Sequence, residues 1–219
     1  MTNKLRYFVG NWKMFGDFGS FRIFNKINQF GHKQRKLNNN KIILCVPNTL
    51  IYYFKNKIKS QYISLGAQNC HHHEGYGPFT GSVSPTMIKK IGAEYIILGH
   101  SENRLQGETN KLIEKKVISS LNQNLNIVLC IGETFNDKKN GKTFSILRKQ
   151  LKDSLNKKLN AKKILIAYEP VWSIGTNKLP KPNDLKKIIV FIKNECKKIF
   201  KTKKNVFVLY GGSVNDKNI

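Results

Sequence analysis

"ILIAYEPVWSIGTNKLP" (residues 164–180) runs from a continuous apolar stretch into a carboxylate, a proline and a glycine-bearing turn. The apolar half reads as a strand buried on both faces, since a half-exposed strand would alternate apolar and polar residues. Glu169 stands where that strand ends. A lone glutamate in such a place ordinarily sits in a surface salt bridge. The next seven residues change that reading. Pro170 stiffens the exit, Val171 and Trp172 supply an apolar body, and Ser173-Ile174-Gly175-Thr176 supply a mobile tip. A stiff hinge, an apolar cover and a glycine tip describe a lid beside a carboxylate.

Six further runs have the same form: "RYFVG" (6–10), "KIILCV" (41–46), "YISLG" (62–66), "EYIILG" (94–99), "NIVLCIG" (126–132) and "VFVLYG" (206–211). Between them lie amphipathic, Lys-rich stretches. Phe18, Phe21, Phe24 and Ile27 mark a helix in 17–30, Ile113, Val117 and Leu121 one in 108–122, and Ile188, Ile192, Cys196 and Ile199 one in 182–200, just after Pro182 opens it. Strand then helix, repeated about every 30 residues, predicts βαβ units and a parallel sheet in one domain over residues 1–219. The polar signals fall just past strand ends: "GNWKM", "AQNCHHHEGYGPFTG", "GHSENR", "CIGE", "YEPVWSIGT" and "YGGSV". In a (β/α) barrel those ends converge on one face, whereas an open doubly wound sheet would gather its ligand groups at one switch point. The barrel is the expected fold.

Composition narrows the function classes. Lys and Arg number 39 against 13 Asp and Glu, a net charge of +26. A nucleic-acid surface would cluster such charge beside stacking aromatics. Here Lys and Asn are spread over every polar face, as in "FNKINQFGHKQRKLNNNK", which is compositional bias, so no specific nucleic-acid partner is expected. Cys45, Cys70, Cys130 and Cys196 form no C-x-x-C pair and read as reduced thiols of a cytoplasmic protein. No apolar run approaches the ~20 residues needed to span a bilayer, so no membrane partner is expected.

Two more strand ends carry chemistry. "GHSE" places His100 where a strand gives way to a helix, whose N-terminal dipole disfavours imidazolium and leaves a neutral ring able to donate one hydrogen bond. Lys13, in "NWKM", is set among Phe8, Val9, Trp12 and Met14, with Asn11 two residues back and facing the same way. "YGGSV" (210–214) reads as a phosphate loop, in which bare backbone N–H groups and a hydroxyl approach an anion. The run Cys70-His71-His72-His73-Glu74 is not read as a metal site, because neighbours on an extended segment point to opposite sides and no distant ligand suggests itself.

Together "NWKM", "AQN", "GHSE", "CIGE", "YEPVWSIGT" and "YGGSV" resemble the triosephosphate isomerase family in order and spacing. The resemblance implies an α/β TIM (β/α)8 barrel, without cofactor or metal, acting as a cytoplasmic homodimer on a small phosphorylated triose. It implies Glu169 as the base, His100 as the neutral electrophile and Lys13 as the charge that stabilises the enediolate. Asn11 orients substrate, Gly175 and Ser213 hold phosphate, Glu102 supports Lys13 or a substrate hydroxyl, and Cys130 and Glu133 stand behind them.

Three departures are visible. Ser82 and Asn103 occupy positions where the family commonly pairs a Glu and an Arg across the dimer interface, leaving contacts such as Thr80 to maintain it. The lid ends in "NKLP", where a small-residue "GKTA" is common. The family continues past "YGGSV" with a helix, an eighth strand and a final helix, so only about seven strands are expected here, with the eighth βα unit missing. Two readings remain. One is an isomerase whose complete gene product carries that unit, the 219-residue chain alone forming no stable, active barrel. The other is a truncated, catalytically weak barrel retained for binding anions or nucleic acid.

Overall fold

The computed structural model describes residues 5–33, 39–58, 61, 63–176 and 178–215, with side chains from 31 to 33 excepted. Tyr62 of the third predicted strand and Asn177 of the lid tail lie outside the described residues. The chain divides into two compact units, residues 1–97 with 122–126, and residues 98–121 with 127–219.

The first unit contains β1 (Arg6–Asn11), α1 (Phe21–Lys33), β2 (Asn40–Cys45), α2 (Asn48–Lys55), β3 (Ile63–Ala67), α3 (Pro85–Lys90) and most of β4 (Tyr95–Leu98). Strands β1 to β4 follow chain order and pair in parallel, with Gly10 opposite Leu44, Leu44 opposite Leu65 and Gly66 opposite Tyr95. Above them Phe24 of α1 stacks on Phe54 of α2 at 4.3 Å, and Trp12 meets the same ring edge-on at 5.7 Å. That cluster explains why a tryptophan directly follows β1: it closes the aromatic core under the helices.

The second unit holds α4 (Ser101–Leu105), most of α5 (Asn110–Asn122) and of β5 (Asn126–Ile131), α6 (Phe135–Lys139), α7 (Thr143–Ser154), β6 (Ile164–Tyr168), α8 (Pro182–Phe200) and β7 (Phe207–Tyr210). Here β5, β6 and β7 pair in parallel and in order, with Leu129 opposite Ile166 and Ile166 opposite Val208. Helix α8 fills the predicted span. Pro182 suits its first turn, and Ile188, Ile192, Cys196 and Phe200 bury one stripe at four-residue spacing. Helix α5 begins two residues later than expected, because Thr109 caps it through the Leu112 N–H at 3.2 Å. Likewise Asp17 caps a short 3-10 turn over 18–20, and α1 starts only after it.

Burial is uneven along the strand series. Every residue of β3, β4 and β6 is buried, as continuous apolar runs require, whereas Phe8 of β1 and Phe207 of β7 are exposed. Among the described residues β1 pairs with β2 and β7 with β6, so each is covered on one side only. No described helix is long and apolar enough to cross a membrane.

Candidate active site

Glu169 follows the last residue of β6. Its N–H donates to the Ile131 carbonyl at 2.8 Å, extending the β5–β6 ladder by one bond and fixing where the side chain emerges. Two glycines make room for it. A Cβ on Gly132 would overlap the Glu169 carbonyl, and one on Gly211 would lie 2.8 Å from Glu169 Oε1. The "CIGE" glycine therefore admits the Glu169 backbone, and the first glycine of "YGGSV" admits its carboxylate.

His100, between β4 and α4, is buried. Its Nδ1 accepts the N–H of Glu102 at 3.3 Å, and its Nε2 lies 3.5 Å from Glu169 Oε2. The backbone N–H donated to Nδ1 assigns a ring hydrogen to Nε2, on the side that faces the carboxylate. Glu102 itself is half-exposed, with Oε2 3.5 Å from the same Nδ1. Behind this pair, Arg104 binds the Gly99 carbonyl at 2.7 Å, Asn110 Oδ1 at 2.6 Å and the Cys130 carbonyl at 3.2 Å. Burial pulls the guanidinium below its ordinary pKa, against the opposing pull of Cys130 and Glu108. Cys130 is buried and enters the site through its backbone oxygen.

Glu133, just beyond β5, is 1% exposed and holds the start of the lid. It accepts from the Tyr168 hydroxyl at 3.2 Å on each oxygen and from the Trp172 indole at 2.9 Å, while its carbonyl takes the Val171 N–H at 3.0 Å. Burial, then the Glu133 charge, pushes the Tyr168 hydroxyl above the usual tyrosine range, so it stays a donor at any working pH. Lys138 of α6 lies 3.4 Å over the centre of the Trp172 ring, a cation–π contact on its free face. The lid begins as a 3-10 turn over Val171–Ser173, and Gly175 sits exposed at the tip with φ +69°. Ser213 donates to the Ser173 carbonyl at 2.5 Å, and Ser173 donates to the Lys178 carbonyl at 2.5 Å. Ser213 is thus fastened to the turn that follows β6, and Gly175 is not part of that contact.

In the first unit Asn11 ends β1, and Lys13 is not on the strand. Its φ is +50°, a left-handed conformation that side-chain-bearing residues rarely adopt. Two side chains hold it there. Asn11 Oδ1 accepts the Lys13 N–H at 2.9 Å, and Gln68 Nε2 donates to the Lys13 carbonyl at 2.7 Å and to the Cys45 carbonyl at 3.1 Å. The strand alternation expected of Asn11 and Lys13 is replaced by a clamped turn. The histidine run also departs from alternation: the His71 and His72 rings lie 4.3 Å apart, with His71 tilted against Phe79 at 4.4 Å. Residues 72 and 73 form a bend, so neighbouring side chains can meet.

A family model described as triosephosphate isomerase matches residues 6–219. The chain belongs to the triosephosphate isomerase family. It is 36% identical over 216 residues to the triosephosphate isomerase of Dictyoglomus thermophilum, covering 96% of this chain and 86% of the relative. With that of Aquifex aeolicus it shares 37% identity over 216 residues, covering 97% and 86%. A crystal structure of the Bartonella henselae triosephosphate isomerase superposes with a TM-score of 0.84 at 34% identity, over 95% of this chain and 83% of that one. The fold is accordingly the α/β TIM-barrel type, with seven strands among the described residues.

Against the family pattern, the structure adds residues that the sequence did not single out. Gln68 lies in the quoted "AQN" and Arg104 in "GHSENR", yet nothing in either string says that one clamps Lys13 and the other the Cys130 strand. Tyr168 reads as one more apolar strand residue. Its hydroxyl is visible as functional only once Glu133 is placed beside it.

Proposed function

We propose that the chain is a triose-phosphate isomerase, interconverting dihydroxyacetone phosphate and glyceraldehyde 3-phosphate through an enediolate. The observation that carries this reading is the His100–Glu169 pair, a buried imidazole whose Nε2 lies 3.5 Å from a strand-end carboxylate. Family membership supplies the substrate class.

The chemistry rests on those two groups. Glu169 takes the proton from the carbon beside the carbonyl, and the C–H electron pair moves into the carbon–carbon bond as the carbonyl oxygen becomes negative. His100 Nε2–H donates to that oxygen, and the imidazole relays a proton between the two oxygens. Protonated Glu169 then returns its proton to the neighbouring carbon. Both groups end as they began, and no electrons pass to an outside acceptor, so the reaction calls for no cofactor. Lys13 supplies positive charge to the enediolate, Asn11 orients substrate, Glu102 orients His100, and Gly175 and Ser213 take the phosphate. Cys130 and Glu133 support the site from behind. Lid closure excludes water, in which the enediolate would expel phosphate.

The working form is proposed as a cytoplasmic homodimer. Met14 and Phe15, and separately Tyr76 and Phe79, leave large apolar side chains exposed in the first unit, which a second copy would cover. The test is a coupled isomerase assay on the purified chain, with turnover also run in deuterated water. One solvent deuteron should appear on the product carbon, the mark of proton return by an exchangeable carboxylic acid. Turnover of Glu169→Gln within a few-fold of the parent would overturn the assignment of the base. Substrate binding without turnover by the folded chain would favour the anion-binding reading.

A further inference from the structure

The outer faces of α7 and α8 carry a cavity of about 640 Å³ that the isomerase chemistry does not use. Its floor is Phe144 of α7 with Val190 and Phe191 of α8, and its rim is Arg148, Lys186 and Lys187. The Phe144 and Phe191 rings meet at 4.7 Å. Phe144 is 41% and Val190 51% exposed, an apolar surface left in contact with water. Helical spacing produces the pattern. Phe144 and Arg148 lie one turn apart, as do Lys186 and Val190, and Lys187 and Phe191, so each apolar residue has a cation one turn away.

Arg148 is held ready. Its Nε donates to Glu195 Oε2 at 3.2 Å, and its guanidinium lies 5.0 Å from the Phe191 ring centre. Glu195, with a side chain 3% exposed, also accepts Lys198 at 2.9 Å. The acid that anchors Arg148 is therefore below the surface, and the lining itself holds three cations and no carboxylate. A second cavity, on α5 and α7, is lined differently: Lys111, Lys149 and Lys152 share it with Glu114 and Asp153, which offset two of the three charges.

We propose that the α7–α8 cavity binds a small amphipathic anion, an apolar ring or short chain bearing one carboxylate, sulfonate or phosphate. Its volume falls in the range of about 300–1,000 Å³ typical of small-ligand sites. A flat apolar body stacks on Phe144 and Phe191 beside Val190, and the anionic head meets Arg148, Lys186 and Lys187, with the Asn194 amide as a neutral donor. From Lys186 to Asn194 the groove runs only about 12 Å along α8, two turns of helix, which suits a small molecule better than a protein face.

The experiment is a fluorescence titration with 8-anilinonaphthalene-1-sulfonate and, in parallel, the uncharged N-phenyl-1-naphthylamine, with near-UV circular dichroism confirming native packing. The sulfonate should bind one to one, about tenfold tighter than the neutral probe, and weaken with salt. Val190→Asp, at an exposed helical position, should reduce sulfonate affinity at least tenfold by placing like charge on the floor. Lys186→Gln with Lys187→Gln should erase most of the preference for the sulfonate without disturbing Glu195, and Lys111→Gln in the other cavity should change nothing. Equal affinity for the two probes, several bound sulfonates per chain, or full binding by Val190→Asp would overturn the site.

Discussion

Two glutamates end neighbouring strands, Glu133 after β5 and Glu169 after β6, and their surroundings differ sharply. Glu133 is 1% exposed and its oxygens are taken by Tyr168 and Trp172. The Glu169 side chain is 19% exposed and meets a ring nitrogen at 3.5 Å. A carboxylate whose lone pairs are occupied by protein donors works as a fastener, because it has no room to accept a substrate proton. Glu169, set 3.5 Å from the His100 Nε2 instead, is the carboxylate that the proposed chemistry uses as its base. Burial alone does not separate the two roles. The donors around each do.

Exchanging the carboxylates for amides tests that contrast most directly. Glu169→Gln should lower kcat by about 10²–10⁴, the usual loss of a general base, with an unchanged melting temperature. An equal loss from Glu133→Gln would erase the distinction. Gly211→Ala should come next, since its Cβ would sit 2.8 Å from Glu169 Oε1 and displace the base. A displacement near 1 Å costs about 10² in rate, so kcat should fall by about that factor while KM changes little. Glu133→Leu should act on stability. It strips the acceptor from the Tyr168 hydroxyl and the Trp172 indole, at about 1–3 kcal/mol for each buried donor left unpaired, readable as a lower melting temperature.

Smaller effects sharpen the comparison. Lys138→Met removes the cation over Trp172, worth about 0.5–1 kcal/mol at an exposed site. It should loosen the lid base, raising the mobility of Trp172 by fluorescence anisotropy and changing kcat by a few-fold at most. The smallest effect is one of pH. Burial works to raise the Glu195 carboxyl, but Lys198 and Arg148 outweigh it and hold the group below the usual carboxylate range. For Glu94, burial is likewise outweighed, by Ser64 and Lys55. The unfolded chain therefore binds these protons more readily than the folded one. Their stabilisation is present above the unfolded carboxylate pKa of about 4.3 and is lost as pH falls through the folded values. The melting temperature should hold between pH 7 and 5 and drop below about 4, with a shallower drop in Glu195→Gln.

The strands, the long helix after Pro182 and the lid stretch were legible because each writes a pattern into adjacent residues: a continuous apolar run, a four-residue stripe, a proline next to a glutamate. Helices α4 and α6, at 5 residues each, are too short to show a period, and α6 declares itself only through the Thr134–Asp137 capping box. Glu169 and His100 stood out through neighbours in the chain. Gln68 and Arg104 did not, because their partners lie elsewhere: Gln68 binds a carbonyl 55 residues away and Arg104 one 26 residues away. The left-handed turn of Lys13 was equally hidden, since no glycine marks it and two side chains impose it.

All four cysteines are buried thiols, and burial pushes those of Cys45 and Cys196 up to about 12. Cys45 and Cys196 therefore carry almost no thiolate at neutral pH, and a maleimide reaches any of the four buried sulfurs only when the surrounding structure opens. Cys45 and Cys70 belong to the first unit, Cys130 and Cys196 to the second. The chain thus carries its own clocks. Alkylation rates at the four sites, resolved by mass spectrometry, would time local opening in each unit without any introduced label.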